Sequence, residues 1–230
     1  MEFLLLFVVP HGAPEPEPAG MAEMGRYAAE LASRKLLKRG APLASAGACV
    51  RVLDRKVVVT DGPFAESKEL VAGFWIVDVA DHDAAIEIAR HTPHARHAAV
   101  EVHRLLARHT FPDTEAGRPF LHAFLMEPGP RDPDGARGGE MRAFGDELVR
   151  AGTLLETAPL ASAPPPARIE VRGGKPRVLD GPFAESKEAI AGYGLVRSAD
   201  RAASIELAQR WPHARWGTVE VREILFFDRV

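Results

Sequence analysis

The stretch DGPFAESKE spans residues 61–69, and the same nine letters return at residues 180–188. A segment kept identical in two places either solves a backbone problem that the fold poses twice or carries chemistry performed twice. The identity extends beyond it. Setting 61–102 against 180–221 without gaps makes 25 of 42 positions identical, among them Ala72-Gly73 with Ala191-Gly192, Pro93-His94-Ala95-Arg96 with Pro212-His213-Ala214-Arg215, and Val100-Glu101-Val102 with Val219-Glu220-Val221. The chain is therefore a tandem repeat, and each unit is too long for a solenoid repeat and long enough for a small domain. The units are expected at 1–106 and 119–230, joined by a linker at 107–118, ARHTFPDTEAGR, where Pro, Gly and Thr gather.

Each unit opens on an apolar run, EFLLLFVV at residues 2–9 or PFLHAFLM at 119–126, read as a buried strand. A Pro- and Gly-rich loop follows, GAPEPEPAG or EPGPRDPDGARGG. Next comes a helix with one apolar stripe, formed by Met21, Met24, Ala28 and Leu31 or by Met141, Phe144 and Leu148, with Gly40 or Gly152 as the expected C-terminal cap. A hairpin is expected in ACVRVLDRKVVVTD and in ARIEVRGGKPRVLD, followed by the repeated stretch and a strand after Gly73 or Gly192. A second helix starts at Asp81 or Asp200 and buries Ile86 and Ala89, or Ile205 and Ala208, before Pro93 or Pro212 stops it. The last strand carries the Val-Glu-Val pattern. This order is the split βαβ, ferredoxin-like arrangement with an added hairpin, an α+β fold. Its helices cover one sheet face. The other needs a partner, which the second unit supplies in an intramolecular pseudo-dimer.

Composition narrows the function classes. The chain has 230 residues, 46% apolar and 27% charged, and a formal charge of −3, so nothing points to nucleic acid or an anionic membrane. The single cysteine, Cys49, excludes an intrachain disulfide framework and a Cys-rich zinc site. The apolar run Phe3–Val9 is too short to span a bilayer, and Glu2 replaces the basic start of a signal peptide, so a cytoplasmic protein is expected. No phosphate-binding loop, dinucleotide fingerprint, nucleophile elbow or HExxH helix occurs, so neither a cofactor nor a metal is expected.

Asp-Gly-Pro-Phe reads in two ways. As structure, Gly before Pro is driven extended, Asp closes an Asx-turn and Phe anchors it. As function, Asp61 and Asp180 are the candidate catalytic acids or bases at a strand end. Glu66, Lys68 and Glu69, with Glu185, Lys187 and Glu188, are the candidate ligand-binding residues, because no backbone rule demands their identity in both copies. His94 and His213, each followed two positions later by Arg, are candidate ligand contacts for an anion. Glu101 and Glu220 project from the sheet face opposite their flanking valines, toward a pocket or toward water.

The opening strand, the hairpin running into VVTDGPFAESKE, the Gly-aromatic strand and the closing Val-Glu-Val strand together resemble the YCII-related family, specifically its DGPF-domain branch, twice along the chain. The resemblance implies dimeric α/β barrels of ferredoxin-like units, no defined reaction, and a functional link to sigma factors of the extracytoplasmic-function type. It also implies a His–Asp pair in a pocket, for which Asp61 and Asp180 match the acid. His11 follows the first strand of unit one, whereas unit two has Glu127-Pro128-Gly129 there. The expectation is a small-molecule-binding or regulatory module, a monomer with pseudo-two-fold symmetry or a homodimer. The alternative is a cofactor-independent acid/base enzyme on a small organic substrate.

Overall fold

The computed structural model describes residues 1–230 except 15–16, 63–68, 114, 128–135, 173–174, 181–188 and 227–230. The first half carries β1 (Glu2–Pro10), α1 (Pro18–Ser33), β2 (Leu37–Leu53), β3 (Lys56–Gly62), β4 (Glu69–Asp78), α2 (His82–His91) and β5 (Ala99–Arg104), and β6 (His109–Thr110) follows it. The second half carries β7 (Arg118–Met126), α3 (Ala136–Arg150), β8 (Leu154–Pro159), β9 (Ala167–Arg172), β10 (Lys175–Asp180), β11 (Ala189–Ser198), α4 (Arg201–Arg210) and β12 (Thr218–Ile224). The expected α+β class and the antiparallel sheet are both present.

Each half has the strand order of a split βαβ unit, β5-β1-β4-β2 and β12-β7-β11-β8, with the first strand central. The halves then exchange strands. β2 pairs with β4 through Leu37–Pro42 and continues onto the other half, where Leu43 and Gly47–Val50 pair with β12. In the second half the same path is split in two: β8 stays on β11, and β9 crosses to pair with β5. One continuous sheet results, and the two expected hairpins are present as β2–β3 and β9–β10, the first strand of each being the one that crosses to the other half.

The apolar run of β1 is explained by this placement. Phe3, Leu5 and Phe7 face α1 and α2, whereas Leu4, Leu6 and Val8 enter a core shared with Leu121, Ala123, Tyr193 and Leu195 of the other half. A strand buried on both faces has no polar alternation to show. The exchange reaches the helix-side cores too: Ala167 and Ile169 of β9 pack in the first, and Val50 of β2 in the second.

Local signals hold where local physics decides. The Asp81 and Asp200 side chains accept from the Ala84 and Ala203 amides, both at 2.8 Å, as N-caps. Gly152, at φ 66°, ends α3 with the paired backbone bonds Gly152 N–H to Val149 O and Thr153 N–H to Leu148 O. Gly40 does not cap α1. Lys35 takes that left-handed position at φ 59°, and Gly40 lies inside β2, where a Cβ would strike the indole of Trp75. The second helices bury Ala89 and Ala208 as expected, with Ala85 and Ile88 or Ser204 and Leu207 beside them, while Ile86 and Ile205 pack only partly buried at the margin of the same cores. α1 begins at Pro18, inside the expected loop, since a first-turn proline costs the helix no hydrogen bond.

The repeated Ala-Gly pair marks a close approach. At Gly73 and Gly192 a Cβ would lie 2.9 Å from the carbonyl oxygens of Ala41 and Ala158, beside register shifts in the two central pairings. Gly73→Ala should therefore destabilise by about 1–3 kcal/mol, the range for overpacking against backbone, read as a fall in the urea midpoint at unchanged slope.

Candidate functional site

The shared interior contains charge. On β5, Val100 and Val102 point to the helices, so Glu101 and His103 point inward. On β9, Ala167 and Ile169 do the same and leave Arg168 and Glu170 inward. β9 pairs with β5 with Arg168 directly opposite Glu101. Arg168 Nη1 donates to Glu101 at 3.1 Å and to Glu69 at 2.8 Å, its Nε donates to Glu170 at 2.9 Å, and its Nη2 pairs with Glu69. His103 Nε2 donates to Glu101 at 3.0 Å. Glu69 faces Pro10 of β1.

Arg168 is the hub of this cluster, with 9% of its surface exposed. Burial alone pulls the guanidinium pKa down, but Glu69, Glu170 and Glu101 outweigh it and push it up. Burial alone likewise raises the Glu101 carboxyl, and the His103 hydrogen bond and charge together with Arg168 outweigh it, holding Glu101 below its ordinary value. A second buried set lies on the other half. The fully buried Glu156 accepts from the Tyr193 hydroxyl at 2.7 Å, Arg39 Nε at 3.0 Å and Arg108 Nη1 at 3.1 Å. Burial and Glu156 raise the Tyr193 pKa. Arg39 and Glu156 sit in matching registers, opposite Ile76 and Leu195, and bridge the halves.

Beside Glu69 the end of β1 forms a small cleft of about 170 Å³ lined by Val9, Pro10, His11, Gly12, Ala13, Ser45 and Leu70. Leu70 directly follows the repeated stretch and pairs with Val9. On the other side of the stretch, Gly62 ends β3 opposite Gly47, on the part of β2 that pairs with the second half. The first copy of DGPFAESKE therefore joins an edge beside the second half to a central strand of the first.

The sequence-derived candidates fall in three places. Asp61 lies on β3 with its side chain 79% exposed and its carboxylate 2.7 Å from Arg201 Nη2. Glu69 enters the interior cluster. His94 and His213 lie beneath the ends of the first strands, with Nε2 donating to Val8 O at 3.3 Å and to Leu125 O at 2.8 Å, and burial lowers both pKa values. Glu66, Lys68, Glu185, Lys187 and Glu188, and the Asp180 side chain, lie outside the described residues. Glu220, the counterpart of Glu101, is buried and accepts from Arg222 Nη1 at 3.0 Å. Sequence reasoning missed Arg168, Glu170 and His103. The signal was present as strict alternation in Ala-Arg-Ile-Glu and Val-Glu-Val-His, with charge opposite the buried residues.

Among the described residues no group of three or more His, Cys, Asp or Glu is placed to hold a metal ion, and no helix is long and apolar enough to cross a membrane.

The architecture is thus a tandem α+β protein whose ferredoxin-like halves share an interior with ion pairs across the seam. Residues 1–107 and 121–228 each match the YCII-related domain, and the chain belongs to the YCII-related family. A protein of Rhizobium meliloti (strain 1021) described as uncharacterized is 44% identical over 46 residues, which cover 20% of this chain and 37% of that protein. The match thus spans well under half of that relative.

Proposed function

We propose that the chain is a small-molecule-binding module of the DGPF branch, with units at 1–106 and 119–230 joined through 107–118 and related as an intramolecular dimeric α/β barrel. The observation that carries this reading is the position of Glu69. The last residue of the repeated stretch is clamped by Arg168 from the other half, beside the cleft of His11, Ser45 and Leu70. The cleft offers apolar wall plus one imidazole and one hydroxyl, and its volume suits a small organic molecule rather than a nucleotide. Asp61 supports binding over acid/base catalysis. A general acid or base at neutral pH usually sits where burial tunes it, and this carboxylate is largely in solvent beside Arg201. The link to an extracytoplasmic-function sigma factor rests on family resemblance alone and would make the bound molecule a regulatory input.

The test is a thermal-shift screen with small carboxylic acids, amines and phenols against the wild-type chain and the double variant His11→Ala, Ser45→Ala. Ligand at a hundred times its dissociation constant stabilises by about 2.7 kcal/mol. At least one compound should therefore raise the wild-type melting temperature by several degrees and leave the folded double variant unmoved. Equal shifts in both proteins, or no shift with any compound, would refute the cleft as the site.

A further inference from the structure

β3 is an edge strand. Among the described residues it pairs only with β2, and Val57, Val58 and Val59 are 46%, 42% and 42% exposed. Three consecutive exposed valines on an open edge form a template for another strand. The other hairpin edge, β10, is blunted. It carries Pro176, which has no N–H to offer, and the exposed Arg177. β3 has no proline, and its charges, Lys56 and Asp61, stand toward its ends and leave Val57, Val58 and Val59 uninterrupted, so the two hairpins, equivalent in the repeat, differ along the middle of the edge.

The backbone of β3 defines which groups face outward. A two-residue hairpin closes on a hydrogen-bonded pair, here Leu53 and Lys56 around Asp54 and Arg55, both at positive φ. Lys56, Val58 and Thr60 therefore turn their N–H and C=O groups to β2, and Val57, Val59 and Asp61 turn theirs outward. When a strand pairs antiparallel with its own copy, facing residues must share backbone orientation. It can meet itself only where some residue faces its own counterpart.

We propose that β3 is a self-recognition edge through which two copies of this chain pair antiparallel, Val58 facing the second copy's Val58. In that register Val57 faces Val59 as a hydrogen-bonded pair on each side of the axis. Lys56 of each copy then faces Thr60 of the other, and Arg55, in the turn just before the strand, comes to the end where the other copy carries Asp61. The charge pattern selects this occupant: Arg55 in the turn and Lys56 at the strand start are cations, Asp61 near its end is an anion, and the two-fold axis sets opposite signs together at both ends. Asp61 already meets Arg201, and its exposed side chain leaves room for a second cation. The contact is isologous and closes as a dimer rather than a fibre.

Sedimentation velocity over a concentration series tests this. The wild-type chain should show a dimer fraction that rises with concentration. Val58→Lys, which places two like charges face to face at the axis, should sediment as a monomer. Arg55→Glu and Asp61→Arg should each dissociate the dimer, and the double exchange should restore it, a rescue that no folding defect produces. In a Cys49→Ser background, Val58→Cys should yield a disulfide-linked dimer on mild oxidation, because facing residues of a non-hydrogen-bonded pair lie about 4.5 Å apart at Cα. A monomer at every concentration overturns the proposal, and so does a dimer that survives both Val58→Lys and Arg55→Glu.

Discussion

Arg168→Met should lower stability by about 3 kcal/mol at neutral pH, the scale for removing one partner from a largely buried ion-pair cluster. The methionine keeps the stem's packing and deletes the charge that Glu69, Glu101 and Glu170 share. Glu69 is 42% exposed and recovers part of its hydration, which keeps the loss at the low end of that scale. In a domain of this size the fall corresponds to roughly 6–12 °C in melting temperature. The pH dependence separates charge from packing. In the wild-type chain the depressed Glu101 pKa contributes stability that is present above the unfolded carboxyl value and lost as pH falls through the lower folded value. Without Arg168 the carboxylates lose their cation and protonate more readily. The deficit should therefore be largest at neutral pH and shrink toward pH 4, as read from urea melts across pH. A deficit constant with pH would show that Arg168 acts through its stem alone.

The second large effect concerns His122, which is fully buried on β7. Trp211 Nε1 donates to its Nδ1 at 2.9 Å, and an indole nitrogen can only donate. The ring is therefore neutral with its proton on Nε2, which donates to Ser204 Oγ at 2.8 Å. Burial holds its pKa down at about 3, far below the ordinary 6.5. The unfolded chain binds a proton below about pH 6.5 that the folded chain refuses until about pH 3. Each pH unit in that window then removes about 1.4 kcal/mol of stability. His122→Leu should flatten this acid limb. Leucine is the residue at the matching register of the first half, Leu5, so the side chain fits a β-strand there. The variant leaves the Trp211 N–H unsatisfied, about 1–3 kcal/mol at pH 7, and the added change Trp211→Phe removes that orphan. Between pH 7 and pH 4 the wild-type chain should therefore lose about 3 kcal/mol more stability than the double variant. Parallel curves would mean that His122 takes up its proton in the folded state.

Much of the fold was legible because it rests on local rules that the duplication states twice. Asp81 and Asp200 cap helices wherever the sheet sends them. Gly73 and Gly192 betray a tight approach by recurring in both copies. Gly40 shows where such reading stops: a glycine near a helix end looks like a cap, and here the indole of Trp75, distant in sequence, is what requires it. For the site, Glu101 was visible as a charge out of phase with its valines. Its partner Arg168 was not, because 67 residues separate them and only the crossing of β9 onto β5 makes them neighbours. His94 and His213 drew attention as a repeated motif, and their burial beneath the first strands, bonded to carbonyls, depends on packing that no local pattern encodes.

The sequence by itself determined the two units, the helix caps at Asp81, Asp200 and Gly152 and the two hairpin turns, since these depend on residues a few positions apart, and it did not show β8 or the first part of β2. Tertiary structure alone decided that β2 and β9 cross between the halves, that Glu69 meets Arg168, and that β3 and β10 come to lie at edges of the sheet among the described residues. Those outcomes depend on which sheet edges are free once both units have folded. That is a property of the assembled surface, and two copies of DGPFAESKE with identical letters cannot reveal it.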